Sequence, residues 1–273
     1  MSAEGALLFA RYAYPPNELG YCGPQGAAAL LHKDARIEIE RRARRFDGAW
    51  CYLEFIAESA GVADPLDARV VEAYWVGNDL LDTCDPSALM RRLGQRFRSQ
   101  SGGTWRDAGA RVRAHHSFQV FEVYPWARLL ATDGNPVAIS VLQQCRIRVG
   151  LVLEVNGETA IVQSAPLIWD GSRFTSGSLR HELVRWSTNG RSFLEGVSAG
   201  DRVALHWDWV CDVITEQQAV SIESREARQR ALLGQAPGQV IPAQPAAATT
   251  AGPCRGPEGR DVRSPAAPIR RPG

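Results

Sequence analysis

The feature that most constrains this chain is a change of period at Cys145. Up to about Gln144 the apolar residues recur at helical spacing, whereas from Arg146 they alternate with polar ones, first in Arg146-Ile147-Arg148-Val149 and then through Leu151-Val152-Leu153-Glu154-Val155. Side chains share a face about every 3.6 residues on a helix and every second residue on a strand, so neither pattern suits the other element. The chain is therefore expected to be α+β, with a helical domain first and strands after it.

Within the first part, the start signals are short and local. In Asp64-Pro65-Leu66-Asp67, Asp64 is placed to cap free N–H groups and Pro65 to take the first helical position, which predicts a helix from Leu66 to Trp75. Asp85-Pro86-Ser87 predicts a second over Ala88 to Phe97, and Asn135-Pro136 a third over Val137 to Gln144. The Arg-, Ser- and Gly-rich text from Phe97 to Ala114 suits an exposed connection. The segment His115 to Tyr124 is read as helix, although its alternation also fits a strand.

After Cys145 the turns carry the argument. Asn156-Gly157, Asp170-Gly171 and Asn189-Gly190 are dipeptides that accept positive φ and so close hairpins. They separate strands at Arg146 to Val155, Thr159 to Trp169, Leu183 to Trp186 and Arg191 to Val197, with a last long strand from Asp201 to Cys211. Five or six short strands predict a small antiparallel OB-like β-barrel, which would close its own edges. Thr215 with Gln218 reads as a capping box opening a C-terminal helix to about Leu233. Beyond it, Pro, Ala, Gly and Arg dominate, and such text cannot bury enough apolar surface to offset chain entropy. The expected divisions are 1–144 helical, 145–233 barrel plus helix, and 234–273 a disordered tail that includes Cys254.

Charge and composition exclude several classes. The chain carries 31 basic and 30 acidic side chains, without the basic field that nucleic-acid binding needs, so no nucleic acid is expected. No apolar run is long enough to span a bilayer, and Glu4 and Arg11 flank the short one near the start. The expectation is no membrane, no signal peptide and a cytoplasmic location. The six cysteines form neither a CxxC pair nor a zinc-finger spacing, so neither a disulfide framework nor a closed structural zinc is expected.

The stretch C-R-I-R-V-G-L-V-L-E-V-N-G-E-T-A-I-V, Cys145 to Val162, resembles the opening of the HypC/HupF [NiFe]-hydrogenase assembly chaperones: a cysteine, a glycine five residues on, then strand–turn–strand. The segment G-D-R-V-A-L-H, Gly200 to His206, is similar to that family's second signature. The whole chain also resembles a largely uncharacterised bacterial family that joins a helical half, marked by Phe9 to Pro24, to such a barrel. The likeness to the chaperones implies a non-catalytic assembly protein, with Cys145 and His206 binding an iron-site intermediate or docking on the immature hydrogenase large subunit or on maturation proteins. It implies no permanently bound cofactor, only transient iron. Three departures favour docking over iron transfer: Cys145 is internal, Val149 stands where the family has proline, and Pro166 to Phe193 looks like an insertion.

Other residues are weighed beside these. Asp208, two residues beyond His206 on one strand, would hold the His206 tautomer, while Trp207 and Trp209 would share the opposite side as a partner-binding face or pack on the helical half. Cys22 is a partner-binding candidate or, more simply, a small buried residue in a turn, and Tyr14-Pro15-Pro16 reads as a rigid loop. His115 and His116 point too far apart to share an ion, and His116 is the better functional candidate. Glu72, Asp82 and Asp85 read as surface or capping acids. Two alternatives to the assembly role are kept: a cysteine-dependent enzyme using Cys22 or Cys145, and an interaction scaffold without metal chemistry.

Overall fold

The computed structural model describes residues 3–32, 36–98 and 103–233; the tail expected from 234 to 273, with Cys254, lies outside the described residues. The helical part comprises α1 (Ala3–Glu18), α2 (Arg36–Ala43), α3 (Asp47–Ala60), α4 (Ala68–Trp75), α5 (Pro86–Arg96), α6 (His116–Phe118, continued by a π-helical turn, Gln119–Val123), α7 (Trp126–Asp133) and α8 (Pro136–Cys145). Strands β1 (Arg148–Asn156), β2 (Thr159–Ser164), β3 (Leu167–Trp169), β4 (Phe174–Ser176), β5 (Arg180–Arg185), β6 (Arg202–His206) and β7 (Trp209–Val213) follow, and then α9 (Glu216–Leu233).

The caps explain most helix starts. Asp85 accepts from the Ser87 and Ala88 amides ahead of Pro86 in α5, and Asn135 accepts from Val137 ahead of Pro136 in α8. α4 begins two residues later than expected, because Asp67 is the cap that accepts from Arg69, while Asp64 takes the Leu66 amide within the preceding turn. Pro15 and Pro16 are not a loop but the last turn of α1. The exposed connection expected before Ala114 is also corrected: Trp105, Ala108, Val112 and Ala114 are buried. Gly103 lets this stretch pass against the π turn, since a Cβ there would lie 2.4 Å from the Val123 carbonyl, and the Thr104 amide donates to the Glu122 carbonyl at 2.8 Å.

The antiparallel OB-like barrel expected from the alternation needs correction too. The strands run in the order β1-β2-β5-β7-β6, with β6 returning to β1, while β3 and β4 stand apart as a separate pair. Four joints are antiparallel, but β5 meets β7 in parallel through one pair, Arg185 with Trp209. The reason is parity: five strand directions cannot alternate around a ring, so one joint must be parallel. The ring is thus an antiparallel ribbon pinned shut at a single parallel contact, where the Arg185 amide donates to Asp208 O at 2.7 Å.

Local detail moves as well. The β1–β2 turn is Gly157-Glu158, one residue later than expected, since Asn156 already pairs with Thr159. Asn189 and Gly190 do carry positive φ, but they close only the Thr188–Arg191 bridge, and 191–197 is not a strand. The long last strand is two strands, turning at Trp207-Asp208.

Burial runs continuously from helices to strands. Phe9, Tyr12, Tyr52, Tyr74 and Trp75 share one cluster with Ile147, Ala204, Trp209 and Cys211. Inside the ring a smaller cluster holds Val152, Val162, Val184, Val203, Leu205 and Val210. α9 opens on the expected capping box, in which the Gln218 amide donates to Thr215 Oγ1 and the Thr215 amide to Gln218 Oε1. Its Glu226 is buried between Arg146, at 2.8 Å, and Arg230, at 3.0 Å. No helix among the described residues is long and apolar enough to cross a membrane.

Gly150 shows how tightly the ring closes, because a Cβ there would lie 2.3 Å from Val162 Cγ1 and 3.1 Å from Leu205 Cδ1. Overpacking of this kind typically costs about 1–3 kcal/mol. Gly150→Ala is expected to lower the unfolding free energy by that amount, read as a lower urea midpoint at an unchanged m-value; an unchanged midpoint would show that the ring yields freely at this point.

Candidate metal centre

Three elements end at one place. His115 caps α6 in an extended conformation, its ring accepting from the Ser117 amide, which leaves His116 as the first helical residue. Cys145 is the last residue of α8 and His206 the last of β6. One potential ligand atom from each of His116, Cys145 and His206 lies within 4.8 Å of the others. All three are buried, with 4%, 7% and 1% of their surfaces exposed. His115 and His116 diverge as adjacent residues should, and only His116 joins this group.

Hydrogen bonds fix the tautomers. His206 Nδ1 lies 2.7 Å from the Tyr12 carbonyl, which can only accept, so Nδ1 carries the proton and Nε2 presents a lone pair. That Nε2 is buried without a hydrogen-bond partner among the described residues. His116 Nε2 lies 2.9 Å from the Cys145 carbonyl and by the same argument carries the proton, while Nδ1 accepts from the Tyr74 hydroxyl at 3.2 Å. An imidazole whose outer N–H is held by a carbonyl is the usual state of a metal-binding histidine, and His206 already has it.

The surroundings are apolar and aromatic. The Trp75 ring lies 4.5 Å from that of His116 and 5.7 Å from that of His206, and Tyr12 stacks on Trp75 at 5.5 Å. Burial, helped by the neighbouring His116, pushes His206 well below the usual imidazole range, and burial holds His116 down to about 4. Burial, with a smaller effect from Cys22, pushes the Cys145 thiol up. Two neutral imidazoles beside a protonated thiol make a poor nucleophile pair, but they become an N,N,S donor set once the thiol proton leaves and His116 turns a lone pair towards the ion.

The remaining expected residues fall elsewhere. Asp208 does not hold His206: its carboxylate meets Arg185 at 3.1 Å, because the two-residue turn carries it off the strand face. Trp207 adopts φ 56°, rare for a bulky residue and costing roughly 1–3 kcal/mol. Its amide donates to Gln144 O at 2.7 Å, Arg148 Nη2 donates to its carbonyl at 2.6 Å, and its ring lies 4.2 Å from Tyr21, so the turn is held from three sides. Trp209 is buried against Tyr14, with centroids 5.0 Å apart. Both tryptophans therefore pack on the helical half rather than forming an exposed face. Cys22 is half-buried beside Tyr21, and the five described cysteines are free thiols. Sequence reasoning missed Tyr12, Tyr74 and Trp75 as the walls of the site; the Tyr-Trp pair closing α4 was the only signal available.

Fold and site together define an α+β protein whose helices and strand ring share one core and meet at a buried His/Cys/His cluster that could hold a metal ion. Residues 1–238 match the family described as "Family of unknown function (DUF6390)", and the chain belongs to it. No curated protein and no solved structure matches the chain. The hydrogenase-maturation, chaperone and HypC-like terms that the resemblance implied therefore find no support, and they are set aside.

The depressed histidines link stability to pH. An unfolded imidazole takes up its proton near its ordinary value of 6.5, whereas folded His116 resists until about 4 and His115 until about 3. Between those limits the unfolded state binds more protons, so stability is fully present above 6.5 and falls as the pH drops through the window. The urea midpoint of metal-free protein is expected to decline from pH 7 to pH 4, and His116→Gln to show a shallower decline; equal slopes would place the linkage in other groups.

Proposed function

We propose that this chain is a metal-binding protein whose centre is His116, Cys145 and His206. The observation that carries the reading is His206 Nε2, a buried lone pair without a partner among the described residues, in a group that includes a thiol and a second imidazole. Leaving such an atom unsatisfied costs about 1–3 kcal/mol, a penalty that a bound cation removes. Two nitrogens and a sulfur suit a borderline ion, zinc or ferrous iron, better than magnesium or calcium, which prefer oxygen. Bound there, such an ion would supply a Lewis acid with a coordination position not filled by these three residues.

The chain's own residues would have definite tasks. Cys145 would give up its proton to ligate, so affinity should fall with falling pH. The Tyr12 carbonyl keeps the His206 proton on Nδ1. His116 would shift its proton from Nε2 to Nδ1, towards the Tyr74 hydroxyl, if it ligates through Nε2. Because the ligands come from α6, α8 and β6, an ion would also tie the helices to the ring.

A second reading, Cys145 as a nucleophile with His206 as its base, uses the same free lone pair. It requires the thiol to ionise with no cation beside it to offset the cost, which burial opposes. Metal analysis and alkylation separate the two. Protein purified without chelator is expected to hold about one zinc or iron per chain, or to take up cobalt with a thiolate-to-cobalt absorption band. Cys145→Ser and His206→Gln should each weaken binding by more than the roughly 10–100-fold that loss of an outer-shell partner costs. A wild-type protein that binds none of these ions, or variants that keep full metal, would overturn the reading. Fast alkylation of Cys145 in metal-free protein would favour the nucleophile instead.

A further inference from the structure

Zinc and ferrous iron fit the donor types of the centre but not their number. Among the described residues no carboxylate and no second cysteine joins His116, Cys145 and His206, whose ligand atoms lie within 4.8 Å of one another. Zinc in proteins almost always takes four ligands, and non-haem iron sites keep further positions for exchangeable ones. Either ion would have to draw the remainder from outside the chain, into a place where all three residues are buried. A thiolate and two imidazoles are, by contrast, the whole set of strong ligands in trigonal copper sites that transfer electrons, where any further axial ligand is weak and long. Copper also stands at the top of the affinity order of divalent ions for nitrogen and sulfur donors.

The surroundings suit such a centre in three ways. An electron-transfer site must change little between oxidation states, and these ligands are held from outside. The Tyr12 carbonyl fixes His206 through Nδ1 at 2.7 Å, and the Trp75 ring lies 4.5 Å from that of His116 and 5.7 Å from that of His206. His116 is braced between the Cys145 carbonyl and the Tyr74 hydroxyl, and exchanges one of those bonds for the ion. The second point is charge: a cuprous ion with one thiolate and two neutral imidazoles is neutral, whereas a cupric ion leaves one positive charge. Apolar walls therefore favour the reduced state and raise the potential. Thirdly, the centre is buried without being isolated. Trp207 follows His206 directly, and its ring lies 4.2 Å from that of half-buried Tyr21, which leads from a ligand towards the surface.

We infer that His116, Cys145 and His206 hold copper as a one-electron centre, an inference that rests on the metal-binding reading of the same residues. Loading releases the Cys145 proton once. Thereafter the cupric ion gains one electron from a one-electron donor, and the cuprous ion returns it to a one-electron acceptor. The thiolate stays a ligand in both states, so no bond to carbon or hydrogen forms or breaks.

One equivalent of cupric ion added under argon to the metal-free full chain tests this. An intense visible thiolate-to-copper band is expected, together with narrow parallel hyperfine splitting in electron paramagnetic resonance. One equivalent of hexaammineruthenium(II) should abolish both and ferricyanide restore them, with copper retained throughout. Cys145→Ser and His206→Gln, folded by circular dichroism, should each lose the band, and Cys22→Ser should keep it. A cupric spectrum of tetragonal type without the band, a band that survives Cys145→Ser, or oxidation of thiols in place of reversible cycling would overturn the inference. If such a protein still binds cobalt with a thiolate band, the metal reading stands and the copper centre alone falls; a protein that binds neither ion loses both.

Discussion

The seam between α1 and the β6–β7 hairpin is the contact on which the other features rest. Tyr14 meets Trp209 edge to face, Arg11 pairs with Asp212 at 2.6 Å, and the Tyr12 carbonyl accepts from His206. The aromatic pair contributes about 0.5–1.5 kcal/mol beyond its burial, whereas a half-buried ion pair adds little net, so apolar packing dominates the seam. Register follows from it. With Trp209 fixed under Tyr14, the hairpin must turn at Trp207-Asp208, and His206 must finish β6 facing α4 and α6.

That placement converts a packing contact into a chemical one. A histidine at the end of a strand would ordinarily face water or find a carboxylate, but here its neighbours are Trp75, His116 and a main-chain carbonyl. The low-dielectric setting keeps both imidazoles neutral and the thiol protonated, and it disfavours a free thiolate. The unusual φ of Trp207 belongs to the same arrangement, since the turn is held by Gln144, Arg148 and Tyr21 and places the end of β6 against the end of α8.

α9 plays a different part. Its inner face is anchored by Glu226 between two arginines, an arrangement that specifies position more than it stabilises, because desolvating the charges offsets most of their attraction. The outer flank of the same helix presents Arg225 and Arg228 to the segment that begins α6. One helix thus closes the core on one side and lines an arginine-rich concavity on another, with His115 bordering that concavity and His116 the buried cluster.

The sequence by itself determined most of the element types and several of their ends. The change of period at Cys145, the Asp85-Pro86 and Asn135-Pro136 caps and the Thr215–Gln218 box are local effects, decided within a few residues. It also marked Cys145, His206 and His116 as the residues to watch. Tertiary structure decided what they meet. Asp208 looked like the partner of His206 because alternation along one strand puts them on one side, yet a two-residue turn intervenes and the Tyr12 carbonyl takes that role from 194 positions away. The parallel joint of the ring, the burial of Trp105 in a Gly- and Arg-rich stretch, and the gathering of Arg113 with Arg225 likewise depend on distant segments. Long-range proximity leaves no periodic trace in a single sequence, because any spacing along the chain can be closed by folding.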